Sequence, residues 1–163
     1  MSGRETLSRA VLEACEKRGI LLATAESCTG GMIAAALTDI AGSSTVVDRG
    51  FVTYSNQAKM EMLGVSAETL AAHGAVSRQT ALEMASGALT HSRAGIAVAV
   101  TGVAGPGGGS PEKPVGLVWF GLAFKGRPAM AEKQHFAGLD RAGVRRATVE
   151  HALRMVLKAL EAA

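Results

Sequence analysis

The segment ILLATAESCTGG, residues 20–31, decides the fold because it predicts a buried strand followed directly by a helix. Its first seven residues are almost continuously apolar, which is typical of a strand covered on both faces. Ser27 and Cys28 then stand side by side, shortly before the glycine pair Gly30 and Gly31. Local chemistry alone favours a hydroxyl that caps a helix start, and the competing interpretation is a nucleophile on a strand-to-helix turn.

The hydrophobic pattern on both sides of this segment mixes the two kinds of secondary structure. A loop rich in glycine and proline follows the strand-like run GIAVAVTG, and an interruption near Gly50 is expected in an earlier strand. The mixture predicts one α/β domain over residues 1–163 with a mixed sheet. Helices are predicted up to Gly19, over 29–40, 57–63, 67–73 and 77–94 with Ser77 as N-cap, and from about Asp140; the other strands are predicted over 44–55, 95–102, 115–124 and 128–136.

Composition limits the class of protein. The 163 residues are 48% hydrophobic and 19% charged with a net charge of +3, as in an ordinary soluble globular protein. The chain has no long basic run and no apolar stretch near the roughly 18 residues of a membrane span, so neither nucleic acid nor membrane is expected as a partner. The amphipathic N-terminus lacks the apolar core of a signal peptide, so a cytoplasmic protein is expected. Cys15 and Cys28 fit neither a zinc spacing nor a disulfide framework.

The turn after the first strand carries the candidate chemistry. The backbone N–H groups of Thr29, Gly30 and Gly31 are expected at a helix N-terminus, where they could bind a phosphate or stabilise an oxyanion. The loop after the strand at 95–102 could face the same pocket, since ligands collect at the carboxyl ends of strands in open α/β sheets. Neither loop has the pattern of a P-loop or of a dinucleotide-binding fingerprint.

Candidate nucleophiles and bases can be named from residue type alone. Cys28 competes with Ser27, but no histidine forms a recognisable pair with it, and cysteine is often a buried packing residue. A lysine whose pKa is lowered by burial can activate a serine, and Lys59 with Tyr54 as a proton relay is such a candidate. The alternative for Lys59 is an ordinary solvated lysine at a strand end. Spacing alone does not connect it to Ser27.

Several separate blocks of the sequence resemble one family. The segments TAESCTGG, DIAGSS, RGFVTYSNQAK, HGAVS and VTGVAGPGGGSPEKPVG together look like the C-terminal domain of the competence/damage-inducible protein CinA. That family includes stand-alone nicotinamide-nucleotide amidases. The blocks run in the family's order from about residue 23 to the last helix. The family's larger N-terminal, molybdopterin-binding-like domain has no counterpart here, so the chain resembles the stand-alone form.

The resemblance implies a three-layer α/β/α sandwich with a mixed central sheet, and an amidase that uses no metal or other cofactor. The expected reaction converts nicotinamide mononucleotide to nicotinate mononucleotide and ammonia, in pyridine nucleotide recycling, and a homo-oligomer is expected. The family's nucleophile falls on Ser27, its base on Lys59 and its supporting tyrosine on Tyr54. The residues then expected to contact the small-molecule substrate are Thr29, Gly30, Gly31, Asn56, Thr101, Gly102, Gly105, Arg141 and Arg145.

The C-terminal pattern GLDRAGVRR departs slightly from the family, because Leu139 is inserted before Asp140. Arg141 and Arg145 keep a spacing of one helical turn, so both can lie on one face. Two interpretations of these arginines therefore stay open: they hold the substrate phosphate, or they belong to a solvated or interface face of the helix.

Two other classes of function stay open at the sequence level. A non-catalytic nucleotide-binding module would use the same glycine loops and release no ammonia. A structural or DNA-uptake accessory is suggested only by the family's historical name, and the weak basic balance gives it little support.

Overall fold

A five-stranded mixed sheet organises the chain, which the computed structural model describes over residues 2–162. The sheet order is β2-β1-β3-β4-β5; β1 is parallel to both of its neighbours, and β4 is antiparallel to β3 and β5. The carboxyl ends of the three parallel strands therefore meet at one edge, where α/β proteins place their ligands. The strands are β1 (Leu22–Glu26), β2 (Val47–Val52), β3 (Ile96–Gly102), β4 (Leu117–Phe124) and β5 (Met130–His135).

Helices cover both faces of the sheet, so the predicted three-layer α/β/α sandwich is confirmed. One core cluster joins α1, α2 and α6 to one face, and a second joins α3 and α5 to the other. None of the helices within residues 2–162 combines the length and apolar character needed to cross a bilayer. The helices are α1 (Gly3–Arg18), α2 (Met32–Thr38), α3 (Asn56–Leu63), α4 (Ala67–His73), α5 (Arg78–Thr90) and α6 (Arg141–Glu161), with a 3₁₀ turn at Ser43–Thr45.

The two faces of the sheet carry side chains of different size. Successive residues of a strand point to opposite faces. The face under α1, α2 and α6 bears leucine, isoleucine, valine and phenylalanine, whereas the face under α3 and α5 is mostly alanine. These small side chains let α5 approach closely: a Cβ on Gly121 would lie 2.2 Å from the Ala81 carbonyl oxygen, and one on Gly87 only 1.9 Å from that of Leu63. The α3–α5 layer is therefore held tightly against the sheet.

Most predicted elements are confirmed, and the differences have local causes. Ser77 caps α5 by accepting from the Thr80 N–H, and Gly19 ends α1 with a φ of 66°. The interruption predicted near Gly50 is wrong, because β2 runs through that residue and its pairing irregularity falls at Asp48. The second helix is shorter than predicted: residues 29–31 form a turn, and the helix covers 32–38 rather than 29–40.

Candidate active site

Ser27 lies on a strand-to-helix turn immediately after β1. Its N–H donates to the Val100 carbonyl at 3.1 Å, which extends the pairing of β1 with β3 by one residue. The chain then turns through Gly30 and Gly31, whose φ angles are 57° and 109°, a region that side chains rarely adopt. The N-cap of α2 is Gly31, without a side-chain cap, so the interpretation of Ser27 as a helix cap is wrong.

Lys59 on α3 points its amino group at this serine. Its Nζ donates to the Ser27 Oγ at 3.1 Å and to the Thr53 carbonyl at 3.0 Å. The two strands bring them together: the Thr53 N–H donates to the Glu26 carbonyl, which continues the pairing of β2 with β1, and Ser55 then caps α3. Ser27 and Lys59, which are 32 residues apart in the sequence, are thus in direct contact at the edge of the sheet.

Burial gives Lys59 the character of a base. The residue is only 1% exposed, and no carboxylate of residues 2–162 lies within salt-bridge distance of its amino group. Desolvation therefore lowers the pKa of Lys59 from its ordinary 10.5. A neutral amine within hydrogen-bond distance of a hydroxyl can take the hydroxyl proton.

Cys28 has the opposite character. Its side chain is buried, and desolvation raises the pKa of the thiol to about 11. The thiolate is the nucleophilic form of cysteine, and at neutral pH this thiol stays protonated. The electrostatics therefore favour Ser27 over Cys28 as the attacking group.

A cavity of about 310 Å³ opens in front of Ser27 and Lys59. Its lining contains no aspartate or glutamate, and within residues 2–162 no group of three or more His, Cys, Asp or Glu side chains is placed to hold a metal ion. A cleft of about 730 Å³ beside Trp119 is larger but contains neither the serine nor the lysine. The cavity brings together eight of the residues singled out from the sequence: Ser27, Tyr54, Asn56, Lys59, Thr101, Gly102, Gly105 and Arg141.

Cys28, considered as the competing nucleophile, also lines the cavity. Sequence reasoning expected the loop after β3 to face this pocket, but it did not single out the remaining lining residues of that loop or of the segment before α5. The segment 73–77 supplies Ala75 and Val76, and the glycine-rich loop after β3 supplies Gly107 and Gly108. The block HGAVS gave a signal for the first pair only as part of the family resemblance. The hydroxyl of Thr101 donates to the Ala75 carbonyl at 2.9 Å and so fixes this segment against the end of β3.

Four of the residues singled out from the sequence are not in the cavity lining. Three of them form the turn after Ser27, and the fourth contacts that turn from α6: Thr29, Gly30, Gly31 and Arg145. The Gly30 N–H donates to the Ser27 carbonyl at 3.1 Å, so this donor is used inside the turn. Arg145 on α6 donates through Nε to the Cys28 carbonyl at 3.1 Å and through a terminal nitrogen to the Thr29 carbonyl at 3.3 Å. The geometry gives Arg145 a contact with the turn, and a substrate contact by these four residues stays a prediction.

Tyr54 and Arg141 form the rim of the cavity. The Tyr54 side chain is 62% exposed, and its hydroxyl accepts from the Arg141 guanidinium at 3.0 Å. The same guanidinium donates to the Gly105 carbonyl at 2.8 Å. The hydrogen bonds of Lys59 go directly to Ser27 and Thr53, so the lysine–serine contact needs no tyrosine between them.

Comparisons with known proteins give the same family over nearly the whole chain. The family model described as CinA C-terminal domain matches residues 4–160. Nicotinamide-nucleotide amidohydrolase PncC of Escherichia coli (strain K12) is 53% identical over 148 residues, which are 91% of this chain and 89% of that protein. A putative competence-damage inducible protein of Symbiobacterium thermophilum is 53% identical over 98% of this chain, which spans 39% of that longer protein. The crystal structure of the competence/damage inducible protein CihA from Agrobacterium tumefaciens superimposes with a TM-score of 0.95 at 55% identity, covering 99% of this chain and 97% of that one.

Proposed function

The chain belongs to the CinA C-terminal domain family, and we propose that it is a nicotinamide-nucleotide amidohydrolase with a serine nucleophile and a lysine base. The substrate is nicotinamide mononucleotide, and the products are nicotinate mononucleotide and ammonia, a step of pyridine nucleotide recycling. The observation that carries the mechanism is the buried Lys59 amino group 3.1 Å from the Ser27 hydroxyl. The name of the Escherichia coli relative supports the choice of substrate.

The acylation half of the reaction begins with neutral Lys59. Its amine takes the proton of the Ser27 hydroxyl as Oγ attacks the carboxamide carbon. The pyridinium ring withdraws electrons and makes this carbon more electrophilic. The lysine ammonium then gives its proton to the amide nitrogen, the C–N bond breaks, and ammonia leaves.

The deacylation half repeats the same proton transfers with water. Lys59, again neutral, takes a proton from water as the oxygen attacks the acyl ester. The proton returns to Oγ as the bond between Oγ and the acyl carbon breaks, which releases nicotinate mononucleotide and restores Ser27. The N–H groups of Ser27, Gly30 and Val103 already donate to backbone carbonyls, so each oxyanion would be met by other N–H groups of the turn at Ser27 or of the loop after β3.

The charge of the cavity suits a mononucleotide. Arg141 is the arginine of the lining, and the lining contains no carboxylate that would repel a phosphate. Two of the five N–H donors of a guanidinium are used for Gly105 and Tyr54. We assign the remaining donors of Arg141 to the 5′-phosphate, which matches guanidinium geometry.

Ammonia release from nicotinamide mononucleotide tests the proposal. Wild-type protein should release ammonia, whereas Ser27→Ala and Lys59→Ala should be inactive although circular dichroism shows them folded. Cys28→Ser is the matched control, since it changes the neighbouring side chain of the same turn. Saturable nucleotide binding without ammonia release from wild type would refute the amidase and favour a binding module.

A further inference from the structure

Glu26 is a buried acid whose position no step of the proposed reaction uses. It is the last residue of β1, directly before the nucleophile, and is 1% exposed. Its Oε1 accepts from the Thr29 hydroxyl at 2.5 Å and from the Ile33 N–H at 2.8 Å, and its Oε2 accepts from the Ala34 N–H at 3.0 Å. Within residues 2–162 no ion pair forms with this carboxylate, so its burial needs such donors, and the three come from the turn and the first turn of α2.

These contacts replace the cap that α2 lacks. The first N–H groups of a helix have no partner within the helix, and its N-terminus favours a negative charge. Gly31 offers no side chain at the N-cap, so the carboxylate of the preceding strand takes this role from seven and eight residues away. The start of α2 is thus occupied by the protein's own anion.

The same contacts fix the nucleophile. The backbone of Glu26 and Ser27 is held between β2 and β3, through Thr53 N–H to Glu26 O and Ser27 N–H to Val100 O. The Glu26 side chain adds a third attachment, because it ties the end of β1 to both Thr29 and α2 across the turn. The Ser27 hydroxyl sits on the short span between these attachments.

We propose that Glu26 is a positioning residue: its carboxylate, hydrogen-bonded to Thr29 and to the N-terminus of α2, holds Ser27 in the orientation that reaches Lys59 and the substrate. The inference rests on the proposed serine nucleophile. Misplacing a reacting group by about 1 Å can cost on the order of 100-fold in rate. Loss of the carboxylate should therefore lower kcat and leave substrate binding nearly unchanged.

Glu26→Gln tests this with little change of volume. One oxygen is retained, but the amide nitrogen then faces an N–H donor and the negative charge is lost. We expect kcat for ammonia release to fall about 10–100-fold while KM stays within about threefold. Both values are measured well below the melting temperature of the variant.

Glu83→Gln is the matched control. Glu83 also accepts from a backbone N–H and a threonine hydroxyl at a helix start, those of Ser66 and Thr69 before and in α4, but it lies outside the cavity lining. This variant should lose a comparable amount of thermal stability and keep kcat. Equal kcat losses in Glu26→Gln and Glu83→Gln would overturn the positioning role, because a loss of stability alone would then explain both.

Thr29→Val provides a second, milder variant, which decides the matter if Glu26→Gln does not fold. It removes one donor to the Glu26 carboxylate and should lower kcat several-fold without a change in KM. In the double variant the two losses should not multiply, because Thr29 acts through Glu26. Multiplying losses, or an unchanged kcat in Thr29→Val, would overturn the network.

The two proposals fail in different ways. A wild-type protein that releases no ammonia, or an active Ser27→Ala variant, would overturn the proposed function together with this inference. A wild-type rate that is lost in Ser27→Ala but kept in Glu26→Gln would overturn the positioning role alone.

Discussion

Replacing Lys59 by methionine should strongly lower activity and change how stability depends on pH. Methionine keeps the length of the side chain but cannot accept a proton from Ser27. Removal of a general base typically costs about 10²–10⁴-fold, so kcat/KM for ammonia release should fall by that factor. In wild type, kcat/KM should rise as the pH passes the lowered pKa of Lys59, because the amine is a base only when neutral.

The stability prediction follows from the same pKa. Because the pKa is lowered from 10.5 on folding, the unfolded chain binds more protons than the folded chain between the two pKa values. The free energy of unfolding of wild type therefore rises across this window, by about 1.4 kcal/mol per pH unit. Below the window, wild type carries the full cost of a buried ammonium, and Lys59→Met removes it.

Thermal melts of both proteins over a pH series measure this difference. For a chain of this length, 1.4 kcal/mol corresponds to about 3–5 °C in Tm. Lys59→Met should melt higher than wild type at mildly acidic pH, and its advantage should shrink as pH rises through the folded pKa of Lys59. The shrinkage should begin at the pH where kcat/KM of wild type rises.

Lys17→Met controls for net charge, since Lys17 is an exposed lysine near the end of α1. A Tm difference between wild type and Lys59→Met that is constant with pH would refute the reasoning about burial. Wild-type activity in Lys59→Met would refute the role of Lys59 as the base.

Three further predictions concern single residues. Cys28→Ser should keep kcat within about threefold, because a thiol whose pKa is raised to about 11 stays protonated at neutral pH. Steady-state kinetics that show loss of activity in Cys28→Ser and retention in Ser27→Ala would reverse the choice of nucleophile. Tyr54→Phe should raise KM more than it lowers kcat, since the phenol oxygen contacts the Arg141 guanidinium at the cavity rim and does not contact Lys59. A kcat loss above about 100-fold at unchanged KM would instead support a proton relay through Tyr54. Gly87→Ala should destabilise the protein by about 1–3 kcal/mol in urea unfolding, because the added methyl would overlap the Leu63 carbonyl of α3. Gly3→Ala is the control, since nothing lies within 4 Å of its added methyl; equal unfolding midpoints of the two variants would show that α3 and α5 can move apart at no cost.

The strands and most helices could be predicted because their signals are local. A continuous apolar run predicts a strand covered on both faces wherever it occurs, and Gly19 and Ser77 mark helix ends by their own conformations. The start of α2 could not be predicted in this way. Its N-terminal N–H groups are satisfied by Glu26, a strand residue seven and eight positions earlier, and rules for caps consider only the residues next to a helix.

The candidate site was accessible from sequence only through the family resemblance. Residue type suggested Ser27 and Lys59 separately, but no spacing rule joins residues 32 positions apart. Their contact depends on β2 lying beside β1, which is a matter of sheet order. The hydrogen bonds of Arg145 to the turn are likewise tertiary contacts, since α6 must first pack under the sheet.

The unequal faces of the sheet explain how Lys59 can be buried beside Ser27. Leu63 of α3 packs in the core cluster that contains Ala25 of β1, and around these small side chains α3 contacts both α5 and β2. This packing places Lys59 of α3 beside the turn that carries Ser27. A larger side chain on this face would hold α3 farther away, and water would then reach the amino group. Close packing keeps Lys59 at 1% exposure while its amino group still reaches the serine. The burial that lowers the pKa of Lys59 therefore depends on packing on the alanine face, and under the proposed mechanism a change in that packing would alter the rate without touching Lys59 or Ser27.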